Sequence, residues 1–300
     1  MHRRMRLLKY WKWIGGAAAA ASVSVVVAHY STTSASTSLS AHWTPSKPSN
    51  VPDFFGKWDY NWDKREPYSL LKPPSRRTKS QSDQASSSPD NNNIVDQLEK
   101  LKAKASRHIF LIRHGKYNMD GGCDEERYLT STGESQAELT GKRLKNSEIS
   151  FTSFISSDMT RAIQTANIIL KTLEQKGLCV EDQDALLREG SPCAKEPFTG
   201  RWHPDLHYYE DGSRIEAAFR KYFHRADPEQ ENDSFEIIVC HANVIRYFVC
   251  RALQFPGEAW IRLDLRHCSL TVLSILPSGR VVLRAFGDSG HMPKSMSKNI

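Results

Sequence analysis

From residue 107 to the end of the chain, short apolar runs alternate with segments of helical spacing. The run HIFLI at 108–112 predicts a strand covered on both faces, because its apolar residues are consecutive. The segment LTSTGESQAELTGKRL at 129–144 predicts a helix, for which Thr130 is a suitable N-cap residue. The same patterns predict further strands at 151–157, 235–240, 269–276 and 281–286, and further helices at 159–173, 214–223 and 242–253.

The order of these elements predicts the fold class. Strands alternate with helices, as in α/β proteins whose sheet is covered by helices on both sides. Only PSGR separates the last two strands, which predicts a hairpin turn at 277–280. By contrast, 183–212 follows neither period and is predicted to be irregular. We therefore expect a three-layer α/β/α domain at 106–300 with a mostly parallel central sheet.

The first 30 residues form a separate leader, with a basic start and an uncharged run of 16 residues from Trp13 to Ala28. A secretory signal peptide, a transit sequence and a retained anchor all share these features. The absence of acids from residues 1–52, which then turn rich in Ser and Thr, favours mitochondrial targeting. The run is shorter than the about 20 residues of a membrane helix unless the flanking Trp11 and Tyr30 lie at the interfaces. We predict a single-pass mitochondrial anchor at 1–30, with the outer membrane favoured over the inner.

Residues 31–93 are rich in Ser, Thr, Pro and Asn and are predicted to be a largely disordered linker. One segment of it, 54–67, is different because it contains two Trp-Asp pairs, WD-x-N-WD. These are Trp58, Asp59, Trp62 and Asp63. Indole rings are costly to leave in water, so they should dock either on the chain's own domain or on another subunit. After the linker, 94–105 places apolar residues on one helical face and predicts a short lead-in helix.

Charge and cysteine content exclude two function classes. The net charge is +7, but residues 1–52 contain six basic residues and no acid, and the rest of the chain holds 35 basic and 34 acidic residues. A nucleic-acid groove is therefore not expected. The six cysteines are scattered without C-x-x-C pairs, which is typical of free thiols in a reducing compartment rather than of a secreted disulfide scaffold.

Charged residues stand at three predicted strand-to-helix junctions. Arg113 and His114 end the first strand, Arg161 lies in the first turn of the second helix, and His241 directly follows the strand at 235–240. In open α/β sheets the carboxyl edge of the strands is where ligands bind. Two guanidinium groups, two imidazoles and the amides of a helix start are suited to a phosphoryl group.

The motifs LIRHG, LTSTGESQAELTGKRL, SSDMTRAIQTA and IVCHANVIR occur in this order. With them the chain resembles the histidine phosphatase (phosphoglycerate mutase-like) superfamily over about 107–290. Within that superfamily, REGSP, DGSRIEAAFRKYFHRA, the upstream WDYNWDKREP and the leader are similar to the mitochondrial phosphoglycerate mutase-like Ser/Thr protein phosphatases.

The resemblance implies a role for each site residue. His114 would attack phosphorus and form a phosphohistidine, which requires a neutral ring whose other nitrogen donates to a backbone carbonyl. Arg113, Arg161 and His241 would hold the phosphoryl oxygens and stabilise the transition state. Glu189 would be the proton donor to the leaving alkoxide. Neither a metal nor a cofactor is implied.

The resemblance also implies substrates and partners. A mitochondrial, membrane-anchored enzyme would act on phosphoserine or phosphothreonine proteins, with phosphohistidine proteins chemically plausible too. It would assemble into homo-oligomers through the WD-x-N-WD segment, although Tyr60 stands where relatives often have proline. Sugar-phosphate mutases carry asparagine six residues after the nucleophile, whereas this chain has Asp120 and a short 116–128 segment. We therefore expect little or no mutase activity.

Other interpretations remain open at this point. The chain would alternatively be a membrane-tethered scaffold with secondary phosphatase activity, or a small-molecule phosphomonoesterase or mutase. Cys240 and Arg246 have the C-x5-R spacing of cysteine-based phosphatases, but no glycine lies between them. His203 and His207 have zinc-ligand spacing, yet Pro204 interrupts the helix that such a pair needs.

Overall fold

The structure is a computed structural model that describes residues 57–71, 91–200 and 203–296. The predicted anchor at 1–30 and most of the predicted linker lie outside these ranges. In the described ranges no helix combines the length and the apolar character needed to cross a membrane.

A six-stranded sheet forms the centre of the described domain. Its strands are β1 (Arg107–Arg113), β2 (Ser153–Ser157), β3 (Asp182–Asp184), β4 (Ser234–Cys240), β5 (Leu270–Ile275) and β6 (Val281–Asp288). They are arranged in the order β3-β2-β4-β1-β5-β6. The first four strands in that order run parallel to one another. Strand β5 pairs antiparallel with β1, and β6 pairs antiparallel with β5. The predicted mostly parallel sheet is confirmed.

Helices cover both faces of the sheet. They are α3 (Ser131–Lys145), α4 (Thr160–Leu173), α5 (Asp205–Tyr222) and α6 (Ala242–Ala252), whereas the shorter helices α1 (Pro67–Leu70) and α2 (Asn91–Lys100) precede β1. Ile109 and Leu111 of β1 belong to a hydrophobic cluster with α5 and α6, whereas Phe110 and Ile112 belong to a second cluster with α3 and α4. This alternation follows from the two-residue period of a strand. The three-layer α/β/α architecture is confirmed.

The prediction that 183–212 is irregular is wrong in part. Strand β3 and a short 3₁₀ turn occupy its start, and α5 begins at Asp205, well before the predicted 214. The first turns of α5 are exposed and so lack an apolar stripe. Gly212, which reads as a helix breaker, is instead a packing requirement, because a Cβ there would lie 2.5 Å from the carbonyl oxygen of Pro192.

Other predicted boundaries hold or shift by a few residues. The Thr130 side chain accepts a hydrogen bond from Gly133 N at 3.3 Å, as expected of an N-cap residue. The lead-in helix, expected at 94–105, is α2 and ends at Lys100. The predicted hairpin joins β5 to β6, and Gly279 adopts φ +83° in its turn, a conformation that favours glycine.

The tryptophan-rich segment docks on the chain's own domain. Trp62 Nε1 donates to the carbonyl oxygen of Gly279 at 2.8 Å, and the rings of Trp62 and Phe219 lie 5.9 Å apart. Asp63 forms an ion pair with Arg225 at 2.7 Å, in which both side chains are buried. The segment is therefore integrated with the hairpin turn and with α5.

Candidate active site

The strand register places two histidines side by side. In the parallel pairing of β1 with β4, Arg113 lies opposite Cys240. The next residues along the two strands are His114 and His241, whose ring centroids are 5.0 Å apart. The backbone N–H of His114 donates to Cys240 O at 3.0 Å and closes the pairing at this edge. The two imidazoles therefore meet where the parallel strands end.

His114 has a defined tautomer. Its Nδ1 lies 2.8 Å from the carbonyl oxygen of Gly115. A carbonyl oxygen only accepts, so Nδ1 carries the proton and Nε2 carries a lone pair. Burial lowers the pKa of His114 well below 6.5, and His241 and the nearby arginines lower it further. The ring is therefore neutral at pH 7, with Nε2 available to react.

The two arginines reach this edge of the sheet from different elements. Arg161, the second residue of α4, places its Nε 3.4 Å from His114 Nε2. Arg113 is held by the donation of its Nη1 to Leu265 O at 2.6 Å. The Nε of Arg113 is buried and has no hydrogen-bond partner among the described residues. It is a donor that an incoming anion would satisfy.

His241 offers a second donor of the same kind. Its Nε2 lies 3.0 Å from the Ser157 hydroxyl, whereas its Nδ1 is buried without a partner among the described residues. Burial lowers the pKa of His241 well below 6.5, and the charges of Arg161 and Arg113 act in the same direction. If Ser157 donates to Nε2, the neutral ring presents its Nδ1–H to the pocket.

Glu189 reaches the same edge from the loop after β3. Its Oε1 accepts from the backbone N–H of Asn243, in the first turn of α6, at 3.2 Å. Burial raises the pKa of Glu189, against opposing contributions from a hydrogen bond to Gly190 and from the charges of Arg113 and Arg161. A carboxyl group with a raised pKa beside two guanidinium groups is suited to carry a proton that the chemistry needs.

The structure thus brings all five predicted site residues, Arg113, His114, Arg161, Glu189 and His241, to one edge of the sheet. Their catalytic roles remain predictions. Trp58, Asp59, Trp62 and Asp63 lie in the docked segment, and oligomerisation through them likewise remains a prediction.

Three further side chains that the sequence argument did not single out line the same site. His267 precedes β5, and because β5 runs antiparallel to β1 its start lies at the reactive edge, 5.4 Å from the His114 ring. Burial lowers the pKa of His267 to about 3. The ring of Tyr117 contacts that of His114 at 5.1 Å and lies 4.8 Å below the Arg161 guanidinium. Asp124 accepts from Arg161 Nη1 at 3.2 Å.

The predicted hairpin sets only the direction of β6 relative to β5, so no sequence signal marked His267, which depends on the antiparallel pairing of β5 with β1. The contacts of Tyr117 and Asp124 depend on the conformation of an irregular loop, and no periodic pattern reports it.

Two competing chemistries fit the structure poorly. The Cys240 thiol is fully buried, and burial raises its pKa above the ordinary 9.0, the opposite of what a cysteine nucleophile needs. Arg246 lies inside α6. His203 and His207 have rings 6.0 Å apart, and the described residues contain no cluster of three or more side chains able to hold a metal ion.

Comparison with known proteins identifies relatives over most of the chain. The model of the histidine phosphatase superfamily (branch 1) matches residues 109–288. The mitochondrial serine/threonine-protein phosphatase PGAM5 of Rattus norvegicus is 50% identical over 252 residues, covering 84% of this chain and 82% of the relative. The Xenopus laevis protein of the same name is 47% identical over 279 residues, covering 93% and 94%. Among solved structures, a phosphoglycerate mutase from Plasmodium falciparum is 33% identical, with a TM-score of 0.44, and covers 64% of this chain and 96% of its own.

Proposed function

The chain belongs to the histidine phosphatase superfamily, and on that basis we propose that it is a mitochondrial protein serine/threonine phosphatase acting through a phosphohistidine at His114. One observation carries this proposal. The Nδ1–H of His114 is engaged by a carbonyl oxygen, its Nε2 lies 3.4 Å from the Arg161 Nε, and Arg113 and His241 each bring to the same edge a buried nitrogen without a partner among the described residues. A neutral nucleophile surrounded by anion-binding donors is the arrangement that attack on a phosphoryl group requires.

The reaction proceeds in two displacements. In the first, His114 Nε2 attacks phosphorus, the bond from phosphorus to the seryl oxygen breaks, and that oxygen takes the proton of Glu189. In the second, water attacks phosphorus and gives a proton to the Glu189 carboxylate. The phosphorus–nitrogen bond breaks, its electron pair returns to Nε2, and inorganic phosphate leaves.

The surrounding donors stabilise the charge that develops on the transferred group. Arg113 and Arg161 are permanently charged, and His241 is neutral with one donor available. Arg161 and His241 are already buried and Arg113 is half-buried, so little reorganisation is needed when charge builds on the phosphoryl oxygens.

A phosphoprotein, rather than a sugar phosphate, is the proposed substrate. The PGAM5 relatives are named as protein phosphatases, and in this chain Asp120 replaces the asparagine that the mutases carry. The test uses the full-length chain in detergent with a phosphoserine peptide, beside interconversion of 2- and 3-phosphoglycerate. We expect phosphate release from the peptide and little interconversion.

Two variants make this test decisive for the nucleophile. His114→Ala should abolish phosphate release, whereas Cys240→Ser, a matched control in the neighbouring strand, should retain most of it. The opposite pattern would favour a cysteine nucleophile. A wild-type chain that releases no phosphate from any phosphopeptide would favour the membrane-tethered scaffold instead.

Location and assembly complete the proposal. We propose an N-terminal anchor in the mitochondrial outer membrane and homo-oligomers built through the WD-x-N-WD segment. The relatives' names support the mitochondrial location.

Trp58→Ala should lower both the mass measured by light scattering and the activity, whereas Tyr68→Ala, at an exposed position just after the segment, should leave both unchanged. An unchanged mass for Trp58→Ala would refute the assembly role. Carbonate extraction and protease treatment of intact mitochondria test the anchor and its membrane.

A further inference from the structure

Helix α4 lacks a capping side chain of its own. Its N-cap position is occupied by Met159, which makes no side-chain hydrogen bond to the first turn. The Asp124 carboxylate supplies the missing acceptor from a loop 36 residues earlier. Its Oδ2 accepts from Thr160 N at 2.8 Å and from Thr160 Oγ1 at 2.9 Å. A carboxylate at this position satisfies a free helix N–H and interacts favourably with the helix dipole.

The same carboxylate also binds the arginine of the site. Asp124 Oδ1 accepts from Arg161 Nη1 at 3.2 Å, while the Tyr117 ring lies 4.8 Å below the guanidinium carbon. The Arg161 side chain is only 4% exposed. With one edge bound to Asp124 and one face against Tyr117, the guanidinium directs its Nε–H at His114 Nε2.

Backbone hydrogen bonds hold the loop that carries Asp124 in place. Asn118 N donates to Tyr128 O at 2.8 Å and joins the two ends of the loop. Within it, Arg127 N donates to Asp124 O at 3.0 Å, and Arg127 Nε donates to Gly121 O at 3.0 Å. These hydrogen bonds fix the conformation of the loop and hold Asp124 next to Arg161.

We propose that Asp124 is a positioning residue for phosphoryl transfer. It orients Arg161 so that the Arg161 Nε–H can donate to a phosphoryl oxygen when His114 attacks phosphorus. This inference rests on the proposed phosphatase function. A carboxylate reduces the positive charge of the pocket, so attraction of the anion alone would make its removal beneficial. A positioning role predicts the reverse effect on the chemical step, because small misplacements of a catalytic group are costly in rate.

The first test compares Asp124→Asn with Glu125→Gln in the full-length chain. Both changes remove one negative charge from the same loop, but Glu125 is exposed, whereas Asp124 binds Arg161. With a phosphoserine peptide we expect Asp124→Asn to lower kcat about tenfold or more without raising KM. We expect Glu125→Gln to behave as wild type and Asp124→Glu to recover part of the rate. Equal kcat values for Asp124→Asn and Glu125→Gln would overturn the inference.

A double-mutant comparison separates positioning from helix capping. In an Arg161→Lys background, Asp124→Asn should cost little further kcat, because the group that it positions is absent. Lost capping alone would lower the melting temperature and reduce kcat by the same factor in both backgrounds, which would overturn the inference.

A crystal structure of Asp124→Asn gives a readout that does not depend on activity. We expect the Arg161 Nε to move away from His114 Nε2, and an unmoved guanidinium would contradict the positioning role. If the wild-type chain releases no phosphate, the proposed function fails, and this structure still decides whether Asp124 positions Arg161.

Discussion

Replacing Glu189 with glutamine removes one proton from the site and leaves its shape in place. Glutamine has nearly the same volume, and its Oε1 can still accept the 3.2 Å hydrogen bond from Asn243 N. What is lost is the acidic proton that the seryl oxygen needs on leaving. The variant therefore isolates proton donation from folding and from phosphate binding.

The size of the effect follows from the role. A positioned general acid contributes about 10²- to 10⁴-fold in rate, or about 3 to 5 kcal/mol in transition-state stabilisation. The raised pKa of Glu189 increases the fraction of the enzyme that carries the proton near neutral pH. Toward a phosphoserine peptide we expect kcat of Glu189→Gln to fall by at least about 100-fold.

The assay compares two leaving groups. An aryl phosphate releases a stable phenolate that needs no proton, so Glu189→Gln should lose little activity toward it. Glu210→Gln, exposed on α5, is the matched control and should behave as wild type on both substrates. Equal losses on the peptide and the aryl phosphate would refute Glu189 as the proton donor.

The pH dependence gives an independent check on the same residue. For wild type, kcat/KM toward the peptide should fall as pH rises through the pKa of Glu189, which burial raises from 4.5. On the acid side, the rate should fall only when His114 becomes protonated, and the pKa of His114 lies well below 6.5. In Glu189→Gln the alkaline decline should disappear.

Further predictions concern the supports of the site and of the fold. Ser157→Ala should lower kcat about tenfold, because His241 Nε2 loses its 3.0 Å hydroxyl partner; an unchanged kcat in a peptide assay would contradict this. Asp63→Asn should lower the free energy of unfolding by about 3 kcal/mol in urea titrations, since it leaves Arg225 buried without its counter-ion. Burial raises the pKa of Asp63, but the hydrogen bonds and the charge of Arg225 outweigh burial and lower this pKa below 3.8. The stability difference between Asp63→Asn and wild type should therefore persist at neutral pH and vanish as pH falls through the lowered pKa. Gly133→Ala should cost about 1 to 3 kcal/mol or more, because the new Cβ would lie 2.0 Å from a backbone oxygen; an unchanged urea midpoint would argue against that contact.

The sequence predicted those parts of the site that adjoin regular elements. Arg113 and His114 follow a run of apolar residues, and His241 follows another, so strand ends identify both places. Parallel pairing then brings them together without further information. The same argument placed Arg161 in the first turn of α4.

The remaining features depend on three-dimensional arrangement. The start of α5 escaped prediction because its exposed turns need no apolar stripe, and residues such as Tyr209 remain in solvent. His267 reaches the site only because β5 runs opposite to β1. Asp124 contacts α4 through a loop whose conformation is held by its own hydrogen bonds, which no periodicity records.

In the proposed reaction, His114 carries the phosphoryl group during turnover. The full-length chain is mixed with a phosphoserine peptide, quenched in alkali within milliseconds, digested and mapped by mass spectrometry. We predict an acid-labile phosphoryl group on His114 that is absent from His114→Ala. A phosphoryl group on Cys240, or phosphate release by His114→Ala at the wild-type rate, would contradict it.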